Sequence, residues 1–170
     1  MFYLLFDRHR RLRHSDPGRA QHTLFSNLFK AQNADNLTSD EVKWTAIAYM
    51  IAGTDTTANT LTHLIWCICK HPEVKNKLLI ELKTLPINFL DQELKGLEYL
   101  NYVVHETLRL YAAAPSGLPR VVPEGGANLG GYSLPAGTVV CAQAYSMHRI
   151  AESFPDPNSF NPSRWAHLTQ

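Results

Sequence analysis

From Leu37 onward, apolar residues recur at helical spacing over an unusually long stretch. Trp44, Ile47, Met50, Ile51, Leu61, Leu64, Ile65 and Trp66 leave almost no polar face, the pattern of a helix buried all round. Thr38 followed three residues later by Glu41 is a capping-box signature, and His71–Pro72 is a stop signal. A helix over 38–70 is predicted, about 32 residues or roughly 48 Å at 1.5 Å per residue. Pro72 opens a second helix over 72–85 with proline in its first turn. Leu78, Leu79, Leu82 and Leu85 make its core stripe. A loop around Pro86–Asp91 leads to a third helix over 99–112, where Leu100, Val103, Val104, Thr107, Leu108 and Tyr111 fall near helical spacing. Pro115 and Gly117 end it.

After Pro115 the character changes. "LPRVV", "ANLGGYSL" and "GTVVCAQAYS" are β-rich runs separated by Gly-Gly and Pro-Ala-Gly turn signals, so a small sheet of three or four short strands is predicted over 117–146. The stretch over 150–170 is rich in proline and aromatics and reads as an ordered meander. Residues 1–36 read as a helix-and-loop lead-in. The fold class is mainly α with a small β-sheet, in one domain over 1–170.

Composition adds exclusions. The chain has 170 residues, 45% hydrophobic and 18% charged, which is globular rather than disordered. A net charge of +1 gives no bulk attraction to nucleic acid. The local exception is "RHRRLRH" at Arg8–His14, read either as a solvated basic turn or as a contact for an acidic partner or anionic membrane surface. The apolar start Met1–Phe6 is too short to span a membrane, which takes about 20 apolar residues, and lacks the features of a signal peptide. Cys67, Cys69 and Cys141 form no CxxC pair, zinc set or disulfide framework. All three are expected to be reduced and buried, with no disulfide partner.

Candidate chemistry begins inside the long helix. "IAGTDTTANT" (residues 51–60) puts poor helix formers at its centre. Gly53 costs about 1 kcal/mol against alanine and Thr54, Asp55, Thr56, Thr57, Asn59 and Thr60 about 0.5 each, about 4 kcal/mol together. Threonine hydroxyls also compete for the helix carbonyls. One reading is a polar surface patch on a helix that bends around the core. The other is a docking turn, where Gly53 admits a flat ligand to the backbone and Asp55 relays protons. A second motif is "ETLR", where Glu106 and Arg109 can pair on one helix face. Such a pair is common when exposed and worth little, whereas burial demands further hydrogen-bond partners. Arg164 in "FNPSRW" is a candidate.

Taken together, "AGTDTT", "ETLR", "PR", "GGYSLPAGT" and "FPDPNSFNPSRW", in that order over about Leu37–Trp165, resemble the cytochrome P450 family of haem-thiolate monooxygenases. The likeness is to eukaryotic microsomal members, particularly fungal ones of secondary metabolism. It implies a partial cytochrome P450 fold whose long helix is the I helix crossing the distal face of haem, followed by helices J and K. It implies that Ala52 and Gly53 leave space for dioxygen, and that Asp55 and Thr56 are the acid–alcohol pair delivering protons. Glu106, Arg109 and Arg164 match the structural triad, and Arg120 matches a residue that pairs with a haem propionate. Ala113–Leu118 would line the substrate pocket. The implied activity is that of an oxidoreductase with haem as cofactor, inserting one oxygen atom of O2 into an apolar substrate. Electrons would come from an NADPH-dependent reductase, at the cytosolic face of the endoplasmic reticulum membrane.

The sequence departs from the family in one decisive place. The family's FxxGxxxCxG loop, whose cysteine thiolate binds the iron, is not found, and Cys67, Cys69 and Cys141 lie in other contexts. No metal ligand is assigned. The expectation is an internal segment of a monooxygenase, inactive and without stable haem on its own. The alternative is a non-catalytic product acting as a helical binding or interaction module.

Overall fold

The computed structural model describes residues 37–167 together with Arg11 and Leu28. The basic stretch Arg8–His14, Arg11 apart, and most of the lead-in over 1–36 lie outside the described residues. The chain divides into two compact units, Met1–Asp55 and Thr56–Gln170.

Helix α1 runs Ser39–Lys70, 32 residues, and its first half belongs to the first unit. Thr38 and Glu41 form the capping box. The Glu41 backbone N–H donates to the Thr38 hydroxyl at 3.3 Å, and the Thr38 N–H donates to Glu41 Oε2 at 2.7 Å. Two orphan donors of the helix start are thereby satisfied. Val42 and Ala46, one turn apart, are buried.

In the second unit α1 ends at Lys70. Helix α2 follows over Pro72–Leu82, the short α3 over Asp91–Lys95, and α4 over Glu98–Leu110. Cys67, Val74, Leu78, Leu97, Tyr102, Val103, Leu110 and Val122 form the apolar core. Helix α4 is its centre, with Tyr102, Val103, Glu106, Thr107, Arg109 and Leu110 buried. Its preceding residue, Leu97, has no side chain able to cap it. Glu81, on α2, caps it instead, accepting from the N–H of Tyr99 at 2.7 Å and of Leu100 at 2.9 Å. This carboxylate fills two orphan donors and places negative charge at the positive end of the helix dipole.

Four strands follow: β1 Gly117–Val121, β2 Ala127–Leu129, β3 Tyr132–Leu134 and β4 Val139–Gln143. They form two separate antiparallel pairs, β1 with β4 and β2 with β3, rather than the single sheet expected. The β2–β3 hairpin turns tightly on Gly130 and Gly131, both with positive φ, and closes on itself. The β1–β4 ladder aligns Gly117 with Gln143 and Val121 with Val139. A short helix α5, Ala144–Met147, and a 3-10 turn, Pro162–His167, complete the described chain.

Three expectations about burial fail. Leu79, placed in the core stripe of α2, and Leu108 on α4 are exposed, because each lies on the side of its helix turned away from the core. Positions 51–59 of α1 are all exposed, as are Trp44, Leu61, Ile65 and Trp66. Apolar periodicity records what a helix could bury, and the described residues leave this surface uncovered. Of the cysteines, only Cys67 is buried, while Cys69 and Cys141 are exposed. Cys69 lies in the last turn of α1 and Cys141 on the two-stranded β1–β4 ladder.

Candidate functional site

Helix α4 brings Glu106 and Arg109 onto one buried face, three residues apart. Arg109 forks onto the carboxylate, with Nη2 donating to Oε1 at 2.8 Å and Nε to Oε2 at 2.9 Å. Arg164, from the 3-10 turn, donates Nε to Oε1 at 3.0 Å, and the Asn161 N–H reaches the same oxygen at 2.9 Å. The Trp165 indole Nε1 donates to Oε2 at 3.0 Å. Five donors therefore converge on a carboxylate that is 0% exposed. Burial by itself would raise the Glu106 pKa. The donors, Arg109 foremost, outweigh it and hold the carboxyl below the usual carboxylate range.

The two guanidiniums also bind the meander. Arg109 Nη1 donates to the carbonyls of His148 and Pro157, each at 2.7 Å, and Arg164 Nη1 donates to that of Pro155 at 2.8 Å. One carboxylate facing two arginines leaves a cationic excess, which these carbonyl dipoles offset. Among the described residues no buried side-chain nitrogen or oxygen lacks a partner. The structure thus brings Glu106, Arg109 and Arg164 together, in the buried form that required extra partners.

Ala52, Gly53, Asp55 and Thr56 lie on the exposed central turns of α1. A Cβ added at Gly53 would meet nothing within 4 Å. The hydroxyl of Thr60 donates to the Thr56 carbonyl and that of Thr62 to the Ala58 carbonyl, each at 2.8 Å, so these side chains do compete for the helix ladder. Arg120 on β1 is exposed and donates Nη1 to the Pro119 carbonyl at 2.9 Å. It borders an open apolar depression of about 650 Å³, shared with Ala114, Ser116, Leu118, Val140 and Cys141.

A family model for cytochrome P450 matches residues 6–170. The chain belongs to the cytochrome P450 family. It is 52% identical over 148 residues to the cytochrome P450 monooxygenase orf2 of Aspergillus niger, covering 87% of this chain and 30% of that protein. It is 49% identical over 148 residues to the cytochrome P450 monooxygenase azaI of A. niger, covering 86% and 31%. To the cytochrome P450 monooxygenase tazI of Aspergillus terreus it is 45% identical over 123 residues, covering 72% and 25%. The chain thus spans less than a third of the length of these curated relatives.

Membership of this family implies haem in the intact protein. Burial pushes the Cys67 thiol up to about 11, and Cys69 on α1 and Cys141 on β4 are exposed. Among the described residues no cluster of His, Cys, Asp and Glu is disposed to hold a metal ion, and no helix is long and apolar enough to cross a membrane.

Sequence reasoning missed two residues. Trp165 was legible only as the end of "NPSRW", because an indole N–H shows its importance only when its acceptor is known. Glu81 carried no local signal, since its partners lie 18 and 19 residues away.

Proposed function

We propose that, in a protein of its relatives' length, this stretch supplies one wall and the K-helix scaffold of a haem-dependent monooxygenase acting on an apolar organic substrate. The observation that carries the reading is the family match over residues 6–170, supported by relatives whose names all read monooxygenase. When bound, haem supplies the oxygen chemistry. Ala52 and Gly53 leave the backbone of α1 approachable, while Asp55 and Thr56 hold and pass protons from one turn. Arg120 is a cation beside an apolar depression, suited to a haem carboxylate. The Glu106 cluster fixes α4 against the meander. A reductase would supply electrons, and the intact protein would act at the cytosolic face of the endoplasmic reticulum.

These residues alone are not expected to hold thiolate-ligated haem. With added haem, reduced under carbon monoxide, the isolated chain should lack the red-shifted thiolate band, and observing that band would refute the point. In a protein of the relatives' length containing this stretch, the band and reductase-dependent hydroxylation should appear. Thr56→Ala there should cut product formation by about 10²-fold.

The exposed face of α1 favours a second reading, an interaction module. Trp44, Ile51, Leu61, Ile65 and Trp66 are each at least 46% exposed, and such surface drives association. Sedimentation would decide: a monomer at all concentrations counts against the module.

A further inference from the structure

We propose that Trp165 is a positioning residue, whose indole N–H fixes the second oxygen of Glu106 and thereby the carboxylate on which Arg109 and Arg164 converge. The inference rests on the geometry of the cluster and stands independently of the monooxygenase reading.

The two oxygens of Glu106 are not equivalent. Oε1 accepts from Arg109, Asn161 and Arg164. Oε2 accepts from Arg109 Nε and Trp165 Nε1. Arg109 shares α4 with Glu106 and links Oε2 to the meander only indirectly, through its other guanidinium nitrogens; a direct bond to Oε2 from outside α4 needs another donor. Among the described residues, Trp165 is that donor. Removing it leaves Oε2 with the Arg109 Nε bond alone, while Oε1 keeps its bonds from Arg109, Asn161 and Arg164.

The indole is itself held in place. Its ring lies 5.3 Å from that of His105 on α4 and 6.3 Å from that of Phe154 in the meander. Phe154 in turn faces the guanidinium of Arg109 at 5.1 Å. Aromatic packing therefore orients the donor, and the donor orients the carboxylate. A phenylalanine at 165 could keep much of the packing but would lose the bond. Hydrogen bonds to a charged acceptor are stronger than neutral ones, so the contribution should be largest while Glu106 is ionised. The groups facing that carboxylate are Arg109 from its own helix, Arg164 and Trp165 from the 3-10 turn, the Asn161 N–H, and the Cys67 thiol from α1.

Two measurements on the full chain test this. The three tryptophans give three indole N–H resonances in a nitrogen-15 correlation spectrum; those lost in Trp44→Phe and in Trp66→Phe, both exposed positions, leave that of Trp165 by elimination. Its exchange with solvent is expected to be at least tenfold slower than that of Trp44 and Trp66, which are 65% and 46% exposed. Exchange as fast as theirs overturns the proposal, even if Trp165→Phe fails to fold. Urea titrations then separate bonding from packing. Trp165→Phe should raise the unfolding constant about tenfold at pH 7, and markedly less once the pH has fallen through the folded pKa of Glu106, which lies below the usual carboxylate range. A penalty that is the same at both pH values would mean packing alone and would overturn the proposal.

Discussion

Glu106 accepts five hydrogen bonds from four residues of the second unit. Its neighbours Arg109 and Arg164 have side chains only 1% and 10% exposed. Removing one partner of a buried charge set is far costlier than losing a surface pair, because the remaining charges stay out of water. Glu106→Gln is expected to cost about 3–5 kcal/mol in urea unfolding at neutral pH. The pH dependence has a definite sign. The folded pKa lies below the ordinary carboxylate value, so Glu106 stabilises the fold above about pH 4.3. That contribution is lost as pH falls through the lower folded value, and Glu106→Gln should flatten this acid limb. Cys67 behaves oppositely. Burial raises its pKa to about 11, so its contribution is complete below the unfolded value of about 8.5 and disappears as pH rises towards 11. A thiol reagent at pH 8 should label Cys69 and Cys141 quickly and Cys67 only on unfolding. Rapid labelling of all three would contradict the placement of Cys67.

Two helix starts show how elements in this chain are fixed, and why one was legible and the other not. Helix α1 is capped locally by Thr38 and Glu41, a spacing visible in four consecutive residues. Helix α4 is capped by Glu81 from α2, across a loop and a short helix, so nothing near Leu97 announces it. The same contrast applies to the triad. The Glu106–Arg109 spacing can be read on one helix, but Trp165 and the carbonyls of His148 and Pro157 join it only through the fold. Glu81→Ala is expected to cost about 1–2 kcal/mol and to speed hydrogen exchange at the amides of Tyr99 and Leu100. Thr38→Ala should cost about 1 kcal/mol and loosen the first turn of α1, with Tyr99 and Leu100 unaffected. Equal exchange effects at both helix starts would show that the cap of α4 is not Glu81.

At the scale of the whole molecule, the central turns of α1 present a conflict between stability and use. Helix-poor residues from Gly53 to Thr60 are exposed, except that Thr60 is half-buried, so they gain little packing in return for their propensity cost. The sequence showed that cost, while apolar periodicity on either side wrongly suggested burial, because a pattern along one helix says nothing of what covers it. Gly53→Ala separates the two. A Cβ there meets nothing within 4 Å, so in this chain the change should stabilise the helix by about 1 kcal/mol, read as a higher urea midpoint. In a protein of the relatives' length, the proposed role of Gly53 is to keep the backbone approachable beside haem, and the added methyl should there reduce oxygen-dependent turnover. Opposite signs from one methyl group would mean that Gly53 is kept for access and not for the fold. A destabilised isolated chain would show instead that α1 is already packed at this turn. Unchanged turnover in the longer protein would remove Gly53 from the proposed pocket.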